Sequence, residues 1–270
     1  MGSSTKHNAL NQQPSQAPTS TGFDLAPDLE RLFDASVFRS SSGDRLPYRL
    51  LKPSANSSSD SAGPNYPLVV FLHGAGERGD DNQVQLLHGV REFATDAVRQ
   101  RYPAFVVAPQ CPQDQQWVDT PWSAPSHRMA AEPTPAMSWT FELIEHLAER
   151  FPIDGNRIYL TGMSMGGFGV WEALARRPAR FAAGVIVCGG ADLATASTIA
   201  HVPVWVFHGE RDTDVLPQRS REMVQALQFA GGTPRYTEYV DVGHHSWLQT
   251  FRDPNMVAWL FAQRLNATDP

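Results

Sequence analysis

Ser164 lies in Gly162-Met163-Ser164-Met165-Gly166, a G-x-S-x-G string with a strand pattern before it and a helix pattern after it. Arg157 to Thr161 is β-branched and aromatic, and Gly167 to Arg177 reads as a helix that stops at Pro178. A serine at a strand-to-helix reversal is forced into a sharp turn, which small flanking glycines permit. Its hydroxyl then stands clear of the sheet at a helix N-terminus, where negative charge is favoured. Serine is a weak nucleophile by itself and needs a base, and the base needs an acid to orient it. Both follow in chain order. Val204-Trp205-Val206-Phe207 leads into His208-Gly209-Glu210-Arg211-Asp212-Thr213-Asp214, a carboxylate-bearing loop at a strand end. Tyr236 to Val240 leads into Asp241-Val242-Gly243-His244-His245, a histidine-bearing loop at the next strand end. On spacing alone Asp212 and Asp214 compete for the acid, and His244 and His245 for the base. Attack by Ser164 would place charge on a carbonyl oxygen, which needs N–H donors. The Met165 N–H offers one, and the turn His73-Gly74-Ala75-Gly76 can aim others.

For these loops to meet, the strands that carry them must end on one edge. Strand patterns occur at 46–51, 68–72, 104–108, 158–161, 183–188, 204–207 and 236–240. Helix patterns fall between them at 84–99, 136–150, 167–177, 219–229 and 255–264. Met137, Phe141, Ile144, Ala148 and Phe151 repeat every three or four residues and make one apolar helix face. The runs Leu68-Val69-Val70-Phe71-Leu72 and Val185-Ile186-Val187 are apolar without alternation, as in a parallel sheet buried on both faces. Alternating strands and helices give a doubly wound sheet with right-handed crossovers, and ligands bind beyond its C-terminal strand ends. Every motif above sits at such an end.

The motifs together resemble the α/β-hydrolase superfamily. The likeness is to its carboxylesterase branch, near the dienelactone hydrolases, the phospholipase/carboxylesterases and the "predicted peptidase" esterases. It covers about Phe38 to Arg264. It rests on the stretch from Phe71 to Asn82, on Thr161 to Gly167, on His208-Gly209 with Asp212, and on Gly243-His244 with Ser246-Trp247 and the later Trp259-Leu260. The resemblance implies an α/β-hydrolase fold: a mostly parallel central sheet of about seven or eight strands with helices on both faces. It implies Ser164 as nucleophile, Asp212 as acid, His244 as base, and the Ala75 and Met165 N–H groups as the oxyanion hole. His245 departs from relatives that carry Asn, Asp or Gly there. The activity implied is hydrolysis of short-chain acyl or aryl esters, acetyl or feruloyl-like, the substrate being a small molecule or carbohydrate-linked. The alternative is a serine peptidase of the prolyl oligopeptidase type, although 270 residues leave no room for the propeller domain of those enzymes. A binding or scaffold protein on the same fold would usually have lost a member of the triad, and all three are present.

Other residues admit a structural or a functional reading. Trp122 and Trp247 could line a substrate pocket, as could Met163, or each could simply pack. The 113–135 segment, with Trp117, Trp122 and His127, is long for a connection and could form a pocket wall or a packed surface loop. His73 and His208 read as braces for their loops. Glu77, Arg78, Asp80 and Asp81 read as a loop-bracing ion-pair set that could also touch substrate.

The bulk numbers bound the rest. With 41% hydrophobic and 19% charged residues, the chain suits one large domain over 23–270, after a Ser-, Gln- and Pro-rich disordered tail over 1–22. A formal charge of −6 and no basic run beyond two residues argue against a nucleic-acid partner. No stretch approaches the ~20 apolar residues that span a bilayer. The N-terminus lacks a signal-peptide layout, which fits a cytoplasmic chain or a secreted one with its signal removed. Nothing in the sequence sets an oligomeric state. The nine histidines show no metal-binding spacing, and no nucleotide-binding loop occurs, so neither metal nor other cofactor is expected. Two strands should separate Cys111 from Cys188, roughly 14 Å at ~4.8 Å per strand. A bridge tolerates about 7 Å, so both should be free.

Overall fold

Strand β3 (Tyr66–Leu72) shows how the sheet is covered. Leu68, Val70 and Leu72 join one hydrophobic cluster, while Val69 and Phe71 join another on the opposite face. A pleated strand alternates its side chains, so an unbroken apolar run needs cover on both sides. The computed structural model describes residues 31–54 and 65–265. The tail expected over 1–22 and the polar stretch 55–64 lie outside the described residues.

Seven further strands join β3: β1 (Phe33–Arg39), β2 (Arg45–Leu51), β4 (Phe105–Pro109), β5 (Ile153–Met163), β6 (Ala183–Val187), β7 (Val204–Gly209) and β8 (Arg235–Tyr239). They lie in the order β1-β2-β4-β3-β5-β6-β7-β8. The β1–β2 and β2–β4 pairs are antiparallel, and all later pairs are parallel. This is the expected doubly wound, α/β-hydrolase architecture with eight strands.

Helices α2 (Pro135–Arg150), α3 (Met165–Arg176) and α5 (Gln218–Phe229) cover one face through residues such as Leu143, Leu147, Val170, Leu174, Met223 and Leu227. The other face is covered by α7 (Pro254–Ala262), with Met256, Val257 and Leu260, and by the segment holding Leu86, Val90 and Phe93. Helix starts follow local chemistry. Thr134 caps α2 by accepting from Met137 N–H at 3.3 Å, and Pro135 fills the first turn. Asp253 and Pro254 do the same for α7.

Three features depart from the sequence reading. The single helix expected over 84–99 is instead two 3₁₀ turns, Val84–Leu86 and Val90–Ala94, followed by the short α1 (Asp96–Arg101). Gly89 interrupts the run with φ +69°. A side chain there would collide with Phe71 and Phe251, so the chain dips onto the sheet where a helix could not fit. Strand β1 lies before the first predicted strand at 46–51. As an edge strand with four of its seven residues exposed, it has little apolar periodicity to reveal it. Two one-turn helices, α4 (Ala196–Ile199) and α6 (Trp247–Thr250), also escape prediction because four residues carry no periodic signal.

Cys111 and Cys188 are buried and free, and β3 and β5 lie between the strands that precede them. Among the described residues no helix is long and apolar enough to cross a membrane.

Candidate active site

Strand β5 ends at Met163 and α3 begins at Met165, so Ser164 alone makes the reversal. Its φ of 52° and ψ of −121° lie in a region that costs a non-glycine residue about 1–3 kcal/mol. The surroundings hold it there. Ser164 N–H donates to Val187 O at 2.9 Å, and Ser164 O accepts from Phe168 N–H at 3.2 Å. Gly166 lets α3 press against β3, since a side chain there would run into the Leu72 carbonyl. The Met165 N–H, in the first turn of α3, has no intrahelical acceptor and points out of the helix's positive end.

Acid and base loops leave the ends of β7 and β8, neighbouring parallel strands. The two loops are stitched by Glu210 N–H to Tyr239 O at 3.0 Å and Arg211 N–H to Val242 O at 2.8 Å. Asp212 Oδ2 lies 2.7 Å from His244 Nδ1, and His244 Nε2 lies 2.8 Å from Ser164 Oγ. A carboxylate oxygen only accepts, so Nδ1 carries the proton and Nε2 is free to accept from the serine hydroxyl. The Asp212 side chain is wholly buried. Its Oδ1 accepts from the N–H groups of Asp214 and Val215 at 2.9 and 3.0 Å. Burial alone would raise its pKa, but hydrogen bonds from His208, His244 and Val215 hold it well below the usual carboxylate range. Burial would lower the His244 pKa. The Asp212 hydrogen bond, with the neighbouring Cys188 thiol and the Asp212 charge, raises it above the ordinary imidazole value instead.

The rival residues take no part in this hydrogen-bond chain, although both line the cavity beside Ser164. Asp214 is exposed and meets Asp212 through its backbone, while His245 is exposed and stacks edge-on against Trp247 at 4.8 Å. Ala75, Trp122, Met163 and Trp247 line one cavity of about 450 Å³ with Ser164 and His244. The Met165 side chain is instead buried in the core, so that residue meets the site through its backbone only.

The 113–135 segment contributes both to the core and to the pocket. Trp117 is fully buried and donates its indole N–H to His73 O at 3.0 Å, while Trp122 and Ser123 face the cavity. Arg219, on α5, holds this segment down by donating to Ala124 O, to His127 Nδ1 and to Ala191 O. Burial, and next the Arg219 charge, push His127 down to about 4, so it stays neutral and can accept that bond.

His73 braces its own loop, as expected: Cys111 N–H donates to its Nε2 at 2.9 Å, and its Nδ1 meets Gly74 O at 2.6 Å. His208 does more than brace. Its Nε2 faces both Val215 O at 2.8 Å and Asp212 Oδ2 at 3.1 Å, which makes it a second donor to the buried carboxylate. Its position four residues before Asp212 is the one sequence signal that could have shown this. Arg78 and Asp81 support the loop mainly through backbone hydrogen bonds rather than ion pairs. Glu77, one of the loop residues that could touch substrate, is buried and faces the cavity, as does His88, which spacing does not single out.

One set of metal-ligating atoms gathers among the described residues: those of Cys188, Asp212 and His244, within 4.8 Å of one another. The His244 Nδ1 proton already fills the 2.7 Å contact with Asp212, so this trio is a hydrogen-bonded set rather than an open set of lone pairs.

A bifunctional acetylxylan esterase/xylanase from Neocallimastix patriciarum is 29% identical over 154 residues, covering 57% of this chain and 20% of that protein. An uncharacterized secreted protein of Arthroderma benhamiae is 24% identical over 248 residues, covering 75% of this chain and 24% of that one. The chain thus spans a quarter or less of the length of these curated relatives. Among solved structures, a thermostable esterase superimposes with TM-score 0.80 at 37% identity, over 87% of this chain and 64% of that one. A ferulic acid esterase shares the fold, with TM-score 0.65 at 16% identity over 84% of this chain and 98% of that one. Residues 57–256, which hold the serine elbow and both loops that reach it, match the Phospholipase/Carboxylesterase family, and the chain belongs to that family.

Proposed function

We propose that the protein is a serine-dependent hydrolase of carboxylic esters with short acyl or aryl groups, of the acetyl or feruloyl kind, on a small or carbohydrate-linked alcohol. The observation that carries this reading is the unbroken hydrogen-bond chain from Ser164 Oγ through His244 to the buried Asp212. Ser164 attacks the ester carbonyl as its proton passes to His244 Nε2. Asp212 holds the imidazole in the reactive tautomer and stabilises the imidazolium. The Met165 and Ala75 N–H groups receive the developing oxyanion. His244 then returns the proton to the departing alcohol, leaving an acyl group on Ser164. Water enters by the same route and releases the acid.

A cavity of about 450 Å³ walled by Trp122, Met163 and Trp247 supports small acyl or aryl groups over long chains. The acetylxylan esterase among the relatives and the ferulic acid esterase among the structures support the same class. The test is turnover of p-nitrophenyl esters from acetate to palmitate, with methyl ferulate and acetylated xylan, by wild type and Ser164→Ala. Turnover restricted to short or aryl acyl groups, and reduced about 10⁴- to 10⁶-fold in the variant, is expected. Full turnover by Ser164→Ala would end this mechanism. Peptide cleavage without ester turnover would favour the peptidase alternative.

A further inference from the structure

Glu77 is not used by the chemistry just described, yet it lies beside it. Its side chain is nine-tenths buried and lines the same cavity as Ser164. A side-chain carbon at Gly74 would fall 3.1 Å from Glu77 Oε2 and 3.7 Å from Ser164 Cβ, so carboxyl and nucleophile flank a single point. Oε2 has no hydrogen-bond partner. The His73 Nδ1 is 4.0 Å from Oε2, and its proton is committed to the Gly74 carbonyl. Across the cavity wall His88, half-buried against Trp247, brings its Nε2 to 3.8 Å from Glu77 Oε1.

That separation is too long for a direct hydrogen bond, but one oxygen atom at about 2.8 Å from each group can bridge it. A hydroxyl fits the gap because it donates and accepts at once, satisfying carboxyl and imidazole in any arrangement of their protons. An ammonium could only donate, and a carboxylate or phosphate would meet Glu77 with like charge. Burial also raises the Glu77 carboxyl, against the pull of the Gly74 and Glu77 amides. Burial, with Arg91 and His245 nearby, lowers His88. Both shifts favour neutral partners over ionic ones.

We propose that Glu77 and His88 form a hydroxyl-recognition subsite beside Ser164, which selects esters bearing a free hydroxyl within a few bonds of the scissile carbonyl. The inference rests on the ester-hydrolase reading above. It makes Glu77 and His88 specificity residues and assigns them no part in bond cleavage.

Two matched ester pairs locate the hydroxyl: glycerol monoacetate against propyl acetate for the alcohol side, and ethyl 3-hydroxybutyrate against ethyl butyrate for the acyl side. The readout is the ratio of kcat/KM within each pair. Wild type should prefer the hydroxylated member of one pair by about tenfold or more, since a polar site left unfilled discriminates strongly. Glu77→Ala and His88→Phe should bring that ratio towards one, the loss falling on the hydroxylated ester. Glu77→Gln, which keeps a polar side chain of the same size, should retain part of it. A wild-type ratio near one in both pairs, or variants that slow both members equally, would overturn the subsite and leave the hydrolase reading standing. Absence of wild-type turnover on all four esters, without fluorophosphonate labelling of Ser164, would bring down both.

Discussion

At the scale of single residues, a general base at His244 would tie activity to the proton it carries. General-base action needs neutral imidazole, and Asp212 makes that form harder to reach by stabilising the cation. The acid limb of kcat/KM should therefore lie above the ordinary imidazole value of 6.5, with activity rising through it to an alkaline plateau. Asp212→Asn removes the negative charge, so the limb should move to lower pH. The plateau should fall by about 10³- to 10⁴-fold as the reactive tautomer is lost. A pH profile of both proteins checks the pair of effects, and an unmoved limb would mean that His244 is not the titrating base. His208 belongs to this scale too. Its Nε2–H donor to Asp212 helps keep a buried carboxylate ionised without a lysine or arginine beside it.

At the scale of elements, three strand ends must converge within hydrogen-bond reach, and the turns after them do this by close backbone contact. Gly209 ends β7 where the β8 loop crosses it. A side chain at that position would strike the carbonyl oxygens of Val242 and Gly243. Gly209→Ala should push the acid and base loops apart, costing about 1–3 kcal/mol of stability through overpacking. Displacing His244 by about 1 Å should lower kcat about 10²-fold. Urea unfolding and steady-state kinetics on the same variant measure the two effects. A change confined to stability would show that the loops can separate without misaligning Asp212 and His244.

At the scale of the whole molecule, the pocket wall is borrowed from a distant part of the chain. Arg219 from α5 holds the 113–135 segment together with Trp117, Asp192 and Arg176, which bond it to His73 O, at Met129 N–H and at the Ala130 and Ala131 carbonyls. Arg219→Met keeps an apolar stem against Phe168 but loses the donors. The segment should then loosen: trypsin should cut faster at Arg128, and KM for aryl esters should rise several-fold as Trp122 leaves the wall. Labelling of Ser164 by a fluorophosphonate should persist, because the elbow is packed independently by Leu72 and Val187. Unchanged proteolysis and KM would show that the segment's buried Trp117, with Asp192 and Arg176, suffices to anchor it.

The sequence by itself determined the alternation of strand and helix, the parallel sheet and the strand ends at which chemistry could occur. These are local matters: apolar runs, capping residues such as Thr134 and Asp253, and glycines around Ser164 act over a few neighbours. It also set the chain order of Ser164, the acidic loop and the histidine loop. The tertiary structure decided what depends on direction. Asp212 and Asp214 share a loop and a chemistry, and only the fold sets one against His244 and leaves the other exposed along the cavity. The same holds for His244 and His245. The fold also cancelled the helix expected at 84–99, because Gly89 must pass between Phe71 and Phe251. It brought Glu77, His88 and Trp122 to one cavity from three separate segments. Which side chains share a cavity is set by how strand ends pack in three dimensions, and spacing along the chain carries no record of that.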